Sequence, residues 1–143
     1  MIYRVDGYSF GEKIIADRYL MLKLLKANKK IKDFFVYPRF VLVKAYHKCP
    51  CCEAVSTDEV CKLCNSKTYS SKGITFPVDF LVCENDGRKI VEKVMEALIL
   101  SHEFNMKKIL YDQIYPHPLR IVVHNVRYRK TEKGWVSERH ASV

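Results

Sequence analysis

Ile74-Thr75-Phe76-Pro77-Val78-Asp79-Phe80-Leu81-Val82 sets one carboxylate in the middle of a run of β-branched and aromatic residues. The run reads as a strand. An acid among Val78, Phe80, Leu81 and Val82 is costly to bury without a partner, so Asp79 is either a paired structural charge or part of a site, and the site is favoured. Upstream, Tyr37 to Tyr46 (YPRFVLVKAY) has the same composition and predicts the preceding strand. Between the two strands lie Cys49-Pro50-Cys51-Cys52 and Cys61-Lys62-Leu63-Cys64.

Two C-x-x-C turns aim four thiolates at one centre, the tetrahedral donor set of a structural Zn²⁺, with Zn–S bonds of about 2.3 Å. Cys49, Cys52, Cys61 and Cys64 are the predicted ligands, because this choice leaves two residues between the members of each pair. Cys51 is then a spare thiol, and Cys83, in an apolar run, a core residue. The competing reading is a pair of disulfides. The opening Met1-Ile2-Tyr3-Arg4-Val5-Asp6 lacks the apolar stretch of a secretory signal, which favours zinc in a reducing cytoplasm. Residues 47–72 are therefore expected as a zinc module at the tip of a hairpin.

Outward from this hairpin the chain predicts one domain over residues 1–143, with a basic extension from 127 to 143. Ser9-Phe10-Gly11-Glu12 has the form of a capping box, and Ile14, Ile15, Tyr19, Leu22 and Leu25 continue at helical spacing to Asn28. Asp86-Gly87 is a hairpin turn. Arg88 to Leu100 suits a strand or a helix equally. Ser101 caps a helix stopped by Pro116 and Pro118, and Leu119 to Val126 is the last strand, with Lys133-Gly134 turning a small hairpin near Trp135. His102, His117, His124 and His140 have no ligand spacing.

The formal net charge is +9, and residues 1–48 hold eleven Lys and Arg against four acids. A polyanionic partner is the natural inference, against the alternative of a solubility charge with no partner. No segment approaches the ~20 apolar residues of a membrane span, which argues against a membrane protein.

The order α-β-β-β-α-β, with Phe76-Pro77-Val78-Asp79-Phe80 on its second strand, resembles the PD-(D/E)XK nuclease superfamily. The resemblance is closest to small phage-encoded proteins related to Holliday-junction resolvases and T7-type junction endonucleases. It covers about residues 8 to 123. It rests also on the helix from Ser9 to Leu25, Pro38-Arg39-Phe40, Val91-Glu92 and Phe104-Asn105-Met106-Lys107-Lys108. The resemblance implies an α/β fold with a restriction-endonuclease-like core, a mixed sheet flanked by helices, and a zinc ribbon inserted between the first two strands. It also implies that Glu12, Asp79 and Glu92 bind Mg²⁺, which orients water against a phosphodiester.

A lysine is expected two residues after the last acid, yet Val94 and Met95 stand there. In a second register Lys93-Val94-Met95 occupies the D-x-K positions, and both catalytic residues are replaced. If the segment is a strand, Lys93 points to the face opposite Glu92. Lys107 or Lys108 on the next helix is the expected substitute, Lys108 above all. Each acid also has a plainer reading: Glu12 as a capping residue, Glu92 as a solvated helix residue.

Two functions follow. One is a DNA-binding protein of nuclease fold acting on branched or duplex DNA, with Lys29, Lys30, Lys32, Arg39, Arg127, Arg129 and Lys130 on phosphates and Tyr37 and Tyr128 stacking on bases. With Mg²⁺ it would be a junction-resolving endonuclease, working as a homodimer in the cytoplasm of a bacterial host. The other is a catalytically dead relative that binds DNA, or a protein such as a polymerase or another transcription or replication regulator, using the zinc hairpin, with Val55, Val60 and Leu63, as its contact arm.

Overall fold

A computed structural model describes residues 1–138. Asp6 and Gly7 both take positive φ, 50° and 85°, as a type I′ turn requires. They join β1 (Tyr3–Val5) to β2 (Tyr8–Phe10) as an antiparallel hairpin. This hairpin overturns the expected capping box, because Ser9 pairs with Arg4 in it. Helix α1 (Lys13–Ala27) starts later, with Glu12 as an N-cap whose side chain makes no capping bond. Its inward stripe is Ile15, Ala16, Tyr19, Leu22 and Leu25, with Arg18 buried among them. Asn28 ends it, its N–H returning to the Leu24 carbonyl at 3.0 Å. Strand β3 (Asp33–Val36) follows.

By its contacts the chain divides into two units, one of residues 1–38 with the chain from 77 onward, the other Arg39–Phe76. The predicted strand from Tyr37 to Tyr46 is broken accordingly. Tyr37 sits at φ 52°, a left-handed conformation unusual for a bulky residue and doubly so before proline. Beyond it come β4 (Arg39–Val43) and β5 (Tyr46–Lys48). Next are β6 (Val55–Ser56), β7 (Tyr69–Ser71) and β8 (Ile74–Pro77). Strands β4 and β8 pair as a stem, and β6-β5-β7 form a small sheet. Gly73 is obligatory in this unit, since an added Cβ would lie 2.1 Å from the Val43 carbonyl oxygen.

The expected second strand also divides, its Asp79 falling between β8 and β9 (Phe80–Cys83). Asp86-Gly87 turns the chain as expected, with Gly87 at φ 91°, into β10 (Lys89–Val94). The ambiguous stretch is therefore a strand at its start, and Glu92 is a buried strand residue rather than a solvated helix residue. Helix α2 (His102–Ile114) is capped by the Ser101 hydroxyl, which accepts from the Phe104 N–H at 3.0 Å. It carries the chain to β11 (Leu119–Val123), parallel to β10.

His124 and Asn125, both at positive φ, turn β11 into β12 (Val126–Thr131), and β12 pairs with β13 (Gly134–Glu138). Up to Glu138 the expected C-terminal extension is therefore part of the fold. Its two strands complete a six-stranded mixed sheet in the order β13-β12-β11-β10-β9-β3. The rest of that extension, with His140, lies outside the described residues. One core joins Phe10 and the α1 stripe to Ile31, Phe80, Val82, Val94 and Val122, each buried side chain contributing about 1.5–3 kcal/mol. The architecture is mixed α/β, with two helices among the described residues. No helix there is long and apolar enough to cross a membrane.

Candidate functional site

In the Arg39–Phe76 unit the two cysteine turns adopt the same local geometry. The Cys49 N–H bonds the Ala54 carbonyl and the Cys49 carbonyl accepts from Glu53; the Cys61 N–H bonds Ser66 and the Cys61 carbonyl accepts from Asn65. Glu53 and Asn65, each one residue past the second cysteine, share a positive φ of 63° and 60°. The four Sγ atoms of Cys49, Cys52, Cys61 and Cys64 lie within 4.8 Å of one another. Their separations are 3.4 Å for Cys49–Cys64, 3.5 Å for Cys52–Cys61 and 3.8 Å for Cys52–Cys64. Four sulfurs at about 2.3 Å from one ion stand about 3.8 Å apart in a tetrahedron, so this donor set fits a metal ion such as zinc. Cys64 Sγ lies 3.3 Å from the Ser66 hydroxyl, and the Ser66 side chain and backbone pull the Cys64 thiol down to about 6. At Cys52 the Ala54 backbone pulls the same way, but its neighbours in the quartet push the thiol up to about 12. Thr68 braces the turns, its hydroxyl donating to the Asp58 carbonyl at 2.8 Å and lying 3.2 Å from His47 Nδ1. Cys51 is exposed and outside the quartet.

Asp79 lies in the other unit, one step past the Phe80–Glu92 pair of β9 and β10. It is almost fully buried. Its N–H bonds the Glu92 carbonyl at 3.0 Å, and its Oδ2 accepts from the Val94 N–H at 2.7 Å. Lys93 Nζ stands 3.8 Å from the same oxygen. Burial pushes the Asp79 carboxyl up from the usual range; Lys93 and the Val94 N–H pull the other way, while the charges of Glu12 and Glu92 add to the rise. Lys93, Glu12, Met95, Glu96 and Ile99 line the adjoining cleft. The Asp79 carbonyl accepts from the Tyr37 N–H at 2.8 Å, fastening the strained Tyr37 to this site.

Glu92 faces elsewhere. Arg18 donates to both its oxygens, Nε to Oε1 and Nη2 to Oε2, and Arg127 Nε donates to Oε2 at 2.8 Å. Arg127 Nη2 lies 2.7 Å from that oxygen but off the line of a hydrogen bond, while Nη1 reaches Glu84. Burial alone would raise the Glu92 carboxyl; Arg18 and then Arg127 overcome it and hold it at about 2. The expected trio of Glu12, Asp79 and Glu92 is therefore not gathered around one ion. What β10 sends to Asp79 is an ammonium, and a divalent cation at Asp79 would meet that charge, so these residues do not fit a Mg²⁺ site. Lys108, the expected substitute, has partners on its own helix and beyond. It is paired with Asp112 and lies 5.6 Å from the centre of the Trp135 ring, while Lys107 bonds Glu103 at 2.8 Å.

Of the predicted phosphate contacts, Lys29, Lys30, Lys32, Arg129 and Lys130 are exposed, as is Arg39 in its own unit. Arg127 is corrected: it is buried against Glu92 and Glu84 and cannot reach a phosphate. Arg18 is expected from the sequence on the polar face of the first helix with Lys13, Lys23 and Lys26, and it is buried instead. Its signal was a cation placed among Ile15, Tyr19 and Leu22 on the apolar stripe of α1, which implies a buried anion opposite.

The family described as "Protein of unknown function (DUF1064)" matches residues 2–132, and the chain belongs to it. No curated protein and no solved structure matches the chain.

Proposed function

We propose that this chain is a DNA-binding protein of nuclease-like fold that holds DNA without cutting it. The observation that carries the reading is the Asp79–Lys93 pair, in which a lysine stands where the resemblance to PD-(D/E)XK nucleases wants a metal-binding acid. Met95, where that pattern wants the catalytic lysine, also lines the cleft. The fixed cation Lys93 replaces the charge that a divalent ion would bring but cannot polarise water for attack on a phosphodiester. Affinity then comes from counterion release at exposed lysines, of which Lys13, Lys23, Lys26, Lys29, Lys30 and Lys32 follow one another along and after α1. The zinc, held by Cys49, Cys52, Cys61 and Cys64, is structural, since four thiolates leave no position for substrate.

The test is incubation of the purified protein with labelled four-way junctions and linear duplex in Mg²⁺ and in Mn²⁺, beside Asp79→Asn. Binding that weakens steeply with salt, with the DNA left intact, is expected. Cleavage lost in Asp79→Asn would show an active nuclease, and absence of binding to either DNA would overturn the reading.

A second reading assigns the zinc unit to a protein partner. It is favoured by the exposure of Val55, Val60 and Leu63, at 69%, 51% and 79%, within residues 49–72, whose three acids balance three lysines. Loss of a purified partner on Leu63→Ser with DNA binding intact would support it.

A further inference from the structure

Away from the Asp79 cleft, the N-terminal hairpin, α1 and β3 enclose a groove floored by Tyr8, Tyr19, Phe34 and Val36, with Lys23 and Lys26 on its rim. The rings form one connected cluster. Tyr8 and Tyr19 have centroids 5.6 Å apart, and Phe34 meets Tyr19 edge-on at 5.5 Å. Tyr8 is 43% exposed, so part of this residue is open to solvent while its ring packs beside Tyr19 and Phe10. Asp6 and Asp33 pair with Lys23 and Lys26, at 2.7 and 2.8 Å, but both pairs are solvent-exposed and contribute little. Asp6 also accepts from the Tyr19 hydroxyl at 2.9 Å and Asp33 from the Phe34 N–H at 2.8 Å, so a phosphate at Lys23 or Lys26 shares the lysine with a carboxylate that stays in place. Lys29 and Lys30, both exposed, follow shortly after Lys26 in the chain.

Aromatic rings in a groove, edged by a row of cations, match the chemistry of a strand whose bases are unpaired. Bases stack on the rings while the backbone follows the cations. A paired duplex keeps its base faces covered and cannot use the floor. We infer that this groove binds single-stranded nucleic acid, one base stacking against Tyr8 and its flanking phosphates lying at Lys23 and Lys26. The inference rests on the nucleic-acid reading above and narrows it: unpaired segments, such as those at a branch or an opened duplex, are what this groove takes.

The test uses the full chain with a fluorescein-labelled oligothymidylate DNA, its oligouridylate RNA counterpart and a blunt duplex of equal length. Tyr8→Ala is expected to weaken single-strand binding about tenfold and Tyr8→Phe to leave it unchanged. Lys26→Ala should lower the salt slope by about 0.7. Duplex affinity should be unchanged in Tyr8→Ala. The DNA and RNA arms show which strand chemistry the groove prefers, and binding of either one supports the site. To remain decisive if Tyr8→Ala does not fold, the wild-type protein is photocrosslinked to a 5-iodouracil strand, with adducts expected on Tyr8 or Phe34. Adducts confined to other residues, or Tyr8→Ala binding single strands as wild type does, would overturn the site. If duplex and junction bind while single strands do not, this inference fails and the DNA reading stands.

Discussion

Arg18 grips Glu92 with two parallel hydrogen bonds, 2.8 and 2.7 Å long, across a core in which neither side chain is more than 2% exposed. The helix and the central strand are thereby locked in one register, because a bidentate guanidinium–carboxylate pair tolerates little sliding. Arg127 approaches the same carboxylate from β12, so one acid fastens three elements.

Glu92→Gln therefore removes the counter-charge of Arg18 and half that of Arg127, which keeps Glu84. Stranding a buried charge costs about 3–5 kcal/mol. Chemical denaturation should show a loss of this size. A change below about 1 kcal/mol, the scale of a surface pair, would mean that the network is not the clasp described here.

The same carboxyl governs the acid limb of stability. Glu92 is held at about 2 when folded, below its ordinary 4.5. Its contribution is complete above pH 4.5 and is lost as pH falls from there toward 2. Asp79 acts in the opposite sense, because its folded value is raised above 3.8. As pH rises through 3.8 toward that raised value, ionising Asp79 destabilises the fold. Melting temperature measured from pH 2 to 7 should rise steeply at first in the wild type, and Glu92→Gln should flatten that rise.

Asp79→Asn should leave stability at pH 7 unchanged or raise it. The amide oxygen can still accept from Val94, and the unfavourable burial of a charge is removed. A melting temperature well below wild type would instead make Asp79 a structural carboxylate.

How much of this was legible beforehand differs from site to site. The cysteine quartet was readable because ligand spacing is a local rule, and the Sγ atoms do converge. The turn at Asp86-Gly87 and the cap at Ser101 were local too. Asp6-Gly7 carries an equally good hairpin signal, but Ser9 and Glu12 fit a competing local motif, and only the pairing of Ser9 with Arg4 decides between them. The charge network was opaque for a different reason: Arg18 and Glu92 are 74 residues apart, and which face of β10 each residue takes was unknown until the stretch proved to be a strand. Once it is a strand, alternation puts Lys93 on the face opposite Glu92, and the Phe80–Glu92 register of β9 and β10 then brings it beside Asp79.

Loss of the metal should loosen the Arg39–Phe76 unit and spare the other. The cysteine turns and the short β6-β5-β7 sheet hold this segment, whereas the six-stranded sheet and its core draw no ligand from it. Purified protein should carry one zinc per chain. Chelation, or Cys61→Ser with Cys64→Ser, should open residues 47–72 to limited proteolysis while the far-ultraviolet spectrum and main melting transition persist. Global unfolding would show that the zinc unit is integral to the fold.

A double-mutant cycle tests whether Lys93 serves Asp79. Lys93→Met leaves the buried carboxylate with only the Val94 N–H at hydrogen-bonding distance on Oδ2 and with the adverse charges of Glu12 and Glu92. At pH 7 this should destabilise the protein. Because Lys93 retains 24% side-chain exposure and stands at 3.8 Å, the coupling belongs in the lower part of the range of about 0.5–3 kcal/mol found for neighbouring charges. In the Asp79→Asn background the same substitution should cost almost nothing, since the charge that Lys93 answers is gone. Equal losses in both backgrounds would assign the effect to packing of the lysine stem and would remove the ion pair as the reason a lysine stands at position 93.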